Sequence, residues 1–436
     1  MNDTLRDKKV VVAGLGLTGQ ACVRFLETKQ ALVKVWDSRD NLTVPADTRV
    51  DVARGSVPAD YFDDVALIVV SPGISPQHPV LAQAGRKGCE VIGDVELFAR
   101  YLSVPAVGIT GSNGKTTVTL LTTHILRQAG LRVTEAGNVG LPVLDTLSMP
   151  LDAVVLELSS FQLEMTSSLR LQAATILNIS DDHLDRHGSM EAYIAAKQRI
   201  YDHASVAIVW RGQAETRPYY SGLRQISIGL DEVSAGYGVA DNAITLDGHP
   251  LLRLERIPLK GGHNVLNVQA AIALAVELGV SVQAAADAVS TFMPAPHRCV
   301  EIARHRGVIF IDDSKATNAG ATLAAIEGLS STATGRIILI AGGDAKGADL
   351  SVLKAAIDRH VSAVFAMGKD AGQFLAMTDK AVGVASMKQA VTLAVEAARE
   401  NDIVLLSPAC ASLDMFDNYA HRARVFADAI EEVMAA

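Results

Sequence analysis

The sequence predicts a three-domain α/β protein with parallel sheets and with ligand loops at the carboxyl ends of the strands. Three observations predict it. Short apolar runs alternate with helical runs along almost the whole chain, and two of those runs, Val10–Ala13 and Ala106–Ile109, open into glycine-rich loops. A polar loop ends nearly every other apolar run. The chain has 436 residues, too many for one core, which suggests about three domains at ~150 residues each. The expected divisions are residues 1–94, 95–294 and 295–436.

Bulk properties narrow the class. Hydrophobic residues make up 49% and charged residues 20% of the chain, as in a globular protein, and no apolar stretch reaches the ~20 residues of a membrane span. The run Met1 to Lys9 leads directly into the first strand with no cleavable apolar segment, so a cytoplasmic protein without a membrane partner is expected. Four cysteines, Cys22, Cys89, Cys299 and Cys410, lie far apart without a C-x-x-C pair and read as small core residues. A net charge of −9 without a Lys/Arg cluster argues against a nucleic-acid partner.

In the first domain, the strand Val10–Ala13 leads to Gly14-Leu15-Gly16-Leu17-Thr18-Gly19, a helix from Gln20 to Glu27 and a strand Leu32–Trp36 ending in Asp37. This G-x-G-x-x-G unit sets a pyrophosphate on a helix N-terminus and a carboxylate near a ribose. It suits a dinucleotide or any nucleoside diphosphate, and a ligand-free strand-to-helix turn has the same spelling. The strand Ala66–Val70 ends in Ser71-Pro72-Gly73-Ile74, a second ligand loop.

The second domain opens with a helix from Asp94 to Leu102. Then comes Val107-Gly108-Ile109-Thr110-Gly111-Ser112-Asn113-Gly114-Lys115-Thr116-Thr117, which follows a strand and starts a helix. Glycines let backbone N–H groups turn toward phosphates, Lys115 adds a mobile charge, and the Thr116 hydroxyl can ligate Mg²⁺. Ile109 stands where the first glycine of G-x-x-x-x-G-K-[ST] belongs, so the loop is a variant. Gly137-Asn138-Val139-Gly140 is a donor-rich turn. Glu157 lies inside the apolar run Ala153–Leu158, where a carboxylate needs either a metal or an ion-pair partner. Oxygen and imidazole groups concentrate at Ser180 to His187, a metal site or a helix cap. A helix covers Met190–Tyr201 and holds Lys197, and a hairpin turn falls at Asp247-Gly248.

Pro294-Ala295-Pro296-His297-Arg298 is stiff punctuation before the third domain. Strands Val308–Ile311, Ile337–Ala341, Ala363–Met367 and Ile403–Leu406 predict a parallel doubly wound sheet. Their loops are Asp312 to Asn318, Gly342 to Gly347, Gly368 to Asp370 and Ser407 to Asp414.

Unaided, these motifs describe an ATP-using enzyme with two further ligand-binding α/β domains and leave the reaction open. In combination, Gly111 to Thr117, Glu157 to Glu164, Asp182 to Arg186, Pro296-His297-Arg298, Asp313 to Asn318 and Ser407 to Asp414 resemble the Mur ligase family, across all three domains. The resemblance implies a Rossmann-like UDP-binding domain, a P-loop ATPase domain and a Rossmann-like amino-acid-binding domain. It also implies ATP-dependent amide-bond synthesis through an acyl phosphate, a cytoplasmic step of peptidoglycan precursor synthesis. The substrates implied are UDP-N-acetylmuramoyl-L-alanine and D-glutamate, handled by a monomer. Gly111, Ser112, Asn113, Gly114, Lys115, Thr116, Thr117, Asn267, Arg298 and Asp313 would bind ATP. Leu15, Thr18, Asp37, Arg39, Gly73, Asn138 and Gln162 would hold the UDP substrate, and Thr317, Lys346, Ser412 and Tyr419 the D-glutamate. Thr116, Glu157, His183 and Lys197, the last as a carbamate, would serve two Mg²⁺ sites, and His297 would lie near the reacting centre. Tyr419 and Asp37-Ser38-Arg39 depart from the family's Phe and Thr-containing versions. The rival readings are another Mur-type or folylpolyglutamate-type ligase, an NAD(P)-dependent oxidoreductase that leaves the P-loop unexplained, and a nonenzymatic nucleotide switch that leaves the third domain without a task.

Overall fold

A computed structural model describes residues 5–45, 48–58, 60–259, 261–330 and 334–435; Met1 to Thr4 of the amino-terminal run lie outside the described residues. Glycine loops and β-branched strands build three large, mainly parallel sheets. The first has five strands in the spatial order Asp51–Arg54, Leu32–Asp37, Lys9–Ala13, Val65–Val70, Glu90–Gly93, all parallel. The chain direction across the sheet reverses beside Lys9–Ala13, which places the Gly14–Gly19 and Ser71–Ile74 loops together at the switch point.

The second sheet has six parallel strands in the order Arg224–Ile228, Val206–Trp210, Ala173–Ile176, Ala106–Thr110, Ala153–Glu157, Val133–Gly137. The strand feeding the P-loop is central and buried throughout. One neighbour ends in Glu157 and the other, Ala173–Ile176, leads on to the Asp182–His183 segment, so sequence-distant groups converge on one strand end. A three-stranded antiparallel sheet, Tyr237–Ala240, Ala243–Leu246 and His249–Arg253, follows, with the Asp247-Gly248 turn as expected.

The third sheet corrects the all-parallel expectation. Five of its six strands are parallel, but the edge strand Val300–His305 runs antiparallel to Val308–Asp312. Arg306 and Gly307 both have positive φ, 47° and 78°, the geometry that closes a tight hairpin. The strand was unreadable because it is mostly exposed and its polar residues do not mark a core. The helix expected over Met190–Tyr201 is α-helical to Gln198 and tightens to a 3₁₀ turn over Arg199–Tyr201.

The cores are distributed unevenly. One apolar cluster joins the first sheet to the second, from Val10 and Leu26 through Leu97 and Phe98 to Leu156 and Val209. The two clusters of the third sheet contain only residues from Val308 onward. The amino-terminal and central sheets therefore share a core, while the carboxyl-terminal sheet meets them across a largely polar face.

Asp94, the first residue of the helix Asp94–Ala99, is buried in that shared core with Oδ1 lacking a hydrogen-bond partner. Burial pushes its carboxyl up to about 6 from the ordinary 3.8. The folded chain thus keeps a proton there that the unfolded chain releases near pH 4. Stability from this group is therefore lost as pH rises through roughly 4 to 6. Asp94→Asn is expected to raise stability by up to about 3 kcal/mol at pH 8 and about half that at pH 5. Thermal melts at the two pH values check this; a variant destabilised equally at both would contradict it.

Candidate active site

The P-loop is built by glycines that no other residue replaces cheaply. Gly114 has φ 84°, and a Cβ there would sit 2.7 Å from Asn267 Oδ1. The helix Lys115–Gln128 begins with no side-chain cap, so its first-turn N–H groups remain free for an anion. Lys115 Nζ folds back on the loop, donating to Gly111 O at 2.7 Å and Ser112 O at 3.0 Å. Burial lowers its pKa from the usual lysine range.

Lys197, on the helix Met190–Gln198, reaches the same loop. It is 2% exposed and donates to Gly111 O at 2.9 Å and Thr110 Oγ1 at 3.4 Å, with Nζ 4.6 Å from the Tyr193 ring centroid. Two lysines therefore share one carbonyl. Burial, then the neighbouring Lys115 charge, depresses the Lys197 amine well below its ordinary value.

Glu157 is buried at the end of its strand. Asn138 Nδ2 donates to Oε1 at 2.7 Å, while Oε2 has no hydrogen-bond partner. An orphaned, buried carboxylate oxygen beside a P-loop threonine fits a hard cation such as Mg²⁺. His183, in a left-handed backbone conformation, packs 4.9 Å from the Phe161 ring. Burial lowers it to about 4, so it is neutral at pH 7 and available as a ligand.

Two cavities meet here. One, of about 380 Å³, is lined by Asn113, Gly114, Thr117, Trp210, Asn267 and Asp313, among others. The other, of about 460 Å³, is lined by Ser112, Lys115, Thr116, Asn138, Glu157, His183 and Lys197 from the central domain. Arg298, Thr317, Lys346, Ser412 and Tyr419 face them from the third domain. Asn113, Gly114, Arg298 and Lys315 line both cavities, so the apolar-walled slot opens into the polar chamber. Asp313 accepts from Ser407 Oγ at 2.7 Å and from Cys299 N at 3.1 Å, and burial pushes its carboxyl up to about 7.

Two of the expected residues line neither cavity. Gln162 lines neither cavity; it is buried, and its Oε1 accepts from Ser159 N at 3.0 Å and Ser159 Oγ at 3.1 Å in a capping box. His297 also stands outside the lining residues, its Nδ1 turned 2.6 Å from Asp312 Oδ2. The Leu15, Thr18, Asp37, Arg39 and Gly73 group gathers at the switch point of the first sheet. There Asp37 is fully engaged: Oδ2 accepts from Leu15 N and Arg39 Nη2, both at 2.8 Å, and Oδ1 from Arg39 N and Nε. The Arg39 contact chiefly holds its carboxyl at about 2. Arg186 ties this end to the central domain, donating to Ile74 O at 3.4 Å and Glu164 Oε1 at 2.5 Å.

Lys315 was missed although it stands between Asp313 and Thr317 in a recognised loop. Its Nζ lies 4.1 Å from the Tyr419 ring centroid, and burial lowers it to about 8. Trp210 carries no motif and reaches the slot only through the fold.

Fold and site together define a P-loop protein in which three mainly parallel α/β sheets bring a nucleotide-sized slot and a lysine- and carboxylate-lined chamber into contact. Family profiles match in sequence: the Mur ligase MurD-like N-terminal domain over residues 8–93, the Mur ligase middle domain over 109–275 and the Mur ligase glutamate ligase domain over 297–410. The chain belongs to the Mur ligase family. Its relatives include the UDP-N-acetylmuramoylalanine--D-glutamate ligase of Idiomarina loihiensis, 40% identical with 97% of this chain and 96% of the relative covered. Another is the enzyme of that name from Pseudomonas savastanoi pv. phaseolicola, 41% identical with 99% of each covered. Among solved structures, MurF from Acinetobacter baumannii aligns with a TM-score of 0.63 at 19% identity, covering 98% of this chain and 92% of that one. UDP-N-acetylmuramate-alanine ligase MurC from Thermotoga maritima gives 0.62 at 19%, with 98% and 99% covered. These two likenesses concern the fold alone.

Proposed function

We propose that this chain joins D-glutamate to UDP-N-acetylmuramoyl-L-alanine with conversion of ATP to ADP and phosphate, a cytoplasmic step of peptidoglycan precursor assembly carried out by a monomer. The observation that carries the reading is the junction of the two cavities at Asn113, Gly114, Arg298 and Lys315. A nucleotide in the slot would direct its γ-phosphate into the chamber. The relatives' shared name supports the choice of substrates.

The chemistry suits these residues. A carboxylate is a poor acyl donor until its oxygen attacks the γ-phosphorus and the bond to ADP breaks. The amine nitrogen of D-glutamate then attacks the acyl carbon, the bond to phosphate breaks, and a proton leaves the nitrogen. Both steps need positioning and charge neutralisation rather than a protein nucleophile. Lys115 and the loop N–H groups would bind the phosphates, with Asn267, Arg298 and Asp313 toward the nucleoside. Thr116, Glu157, His183 and carbamylated Lys197 would hold Mg²⁺, which when bound offsets charge on the phosphate oxygens. Leu15, Thr18, Arg39 and Gly73 would hold the UDP end, with Asp37 bracing Leu15 and Arg39, and Asn138 toward the muramoyl-alanine end. Thr317, Lys346, Ser412 and Tyr419 would receive the D-glutamate carboxylates.

The oxidoreductase reading loses its support at Asp37, whose two oxygens are already filled by Leu15 and Arg39 rather than free for a ribose. The test is phosphate release with ATP and UDP-N-acetylmuramoyl-L-alanine, with and without D-glutamate. Release that requires both substrates is expected; tight NADH binding without a response to the UDP substrate would overturn the reading. Lys346→Ala is expected to raise the D-glutamate KM about tenfold or more and to leave the ATP KM nearly unchanged. Equal changes in both would remove Lys346 from the amino-acid site.

A further inference from the structure

The polar face between the central and carboxyl-terminal domains converges on one carboxylate. Asp182 follows the strand Ala173–Ile176, is 6% exposed and precedes His183, whose Nε2 lies 3.7 Å from its Oδ2. Its Oδ1 receives the ammonium of Lys346 from the third domain. Its Oδ2 receives Asn318 Nδ2, also from the third domain, at 3.3 Å. The same Asn318 nitrogen donates to Asn113 Oδ1 of the P-loop at 3.0 Å, and Asn318 Oδ1 accepts from Ala321 N at 3.0 Å. Gly320 continues this close approach, since a Cβ there would stand 2.9 Å from Ser180 Oγ and 3.0 Å from Asn113 Nδ2. A bonded path therefore runs from the P-loop through Asn318 and Asp182 to Lys346.

Lys346 is held at its other end as well. Its backbone has φ 55°, and its N–H donates to Asp344 Oδ1 at 2.8 Å, while Asp344 Oδ2 accepts from Lys369 Nζ at 3.0 Å. A lysine side chain has four flexible carbons, so an anchored backbone alone does not place its charge. The second anchor is Asp182, which belongs to the other domain.

We propose that Asp182 is a positioning residue for the incoming amino acid: by pairing with Lys346 and Asn318 it sets the Lys346 ammonium at one place relative to the P-loop. The two domains then present nucleotide and amino acid to each other in a single register, the arrangement that makes the attack effectively unimolecular. The inference rests on the assignment of Lys346 to D-glutamate made above. Because the pair is buried, salt screens it weakly.

Asp182→Asn keeps the shape and an acceptor for Asn318 and removes the charge that holds Lys346. In the phosphate-release assay it is expected to raise the D-glutamate KM about tenfold while the ATP KM stays within about threefold. A merely structural role would not produce that split. In a Lys346→Met background, Asp182→Asn is expected to add no further change in D-glutamate KM, since the two residues act as one unit. Equal shifts in both KM values, or effects that multiply in the double variant, overturn the proposal. Should Asp182→Asn melt early by circular dichroism, Asn318→Ala decides: a raised D-glutamate KM supports the proposal and an unchanged one overturns it. A wild-type protein that shows no D-glutamate-dependent phosphate release defeats the functional reading itself. An active wild type with an unsplit Asp182→Asn defeats only this inference.

Discussion

Lys197→Ala is expected to lose about a thousandfold in turnover, ~4 kcal/mol, and to regain part of it when acetate or a similar short-chain carboxylate is added. The reasoning starts from charge. Lys197 and Lys115 both donate to the carbonyl of Gly111, and two ammonium groups that share one acceptor repel each other. Burial and that repulsion favour the neutral amine, the form that attacks CO₂. In the proposed carbamate a nitrogen–carbon bond would form, a proton would be released, and a cation-repelling amine would become an anionic oxygen ligand facing the chamber of Glu157 and His183. A lysine kept only for its hydrogen bonds to Thr110 and Gly111 predicts no rescue by carboxylates. Phosphate release with and without acetate, alongside a circular dichroism melt, separates the two. Full activity, or an inactive variant that is unfolded and not rescued, would leave the carbamate without support.

Lys115→Ala is expected to cost about a thousandfold or more in kcat/KM, because in the proposed reaction its preorganised charge would act on the transferred phosphoryl group in a largely desolvated site. The lysine opens the helix that faces the chamber, and its hydrogen bonds to Gly111 and Ser112 hold it against the loop that would wrap the phosphates. Burying this ammonium beside Lys197 opposes its charge, so its removal should leave the thermal midpoint within a few degrees of the wild type. The pairing of a large kinetic loss with an intact fold is the signature. Turnover within about tenfold of the wild type would sink the assignment.

Much of the site was legible because it is written in local backbone chemistry. Gly111 and Gly114 take positive φ, Lys115 begins a helix, and Glu157 ends an apolar strand, and each of these follows from residue type and spacing. Gln162 shows local grammar of another kind. Ser159-x-x-Gln162 is the spelling of a capping box, and the structure uses it as one, with the amide oxygen turned to Ser159 instead of the chamber. His297 likewise turns to Asp312, a partner fifteen positions away that no short motif predicts. The strand Val300–His305 escaped notice because an exposed edge strand need not alternate.

The sequence by itself determined the three α/β units, the strand-end placement of the loops and the strand–glycine loop–helix form of residues 111–117, since these depend on periodicity, glycine conformation and helix starts within a few residues. Only the tertiary structure decided which loops face each other. It placed Lys346 on Asp182, 164 positions away, set Lys115 and Lys197 on one carbonyl and left Glu157 Oε2 without a partner. The physical reason is that such pairings are made by sheets packing at a shared end. The energy of a buried charge depends on its neighbours in space, which the order of residues along the chain does not specify.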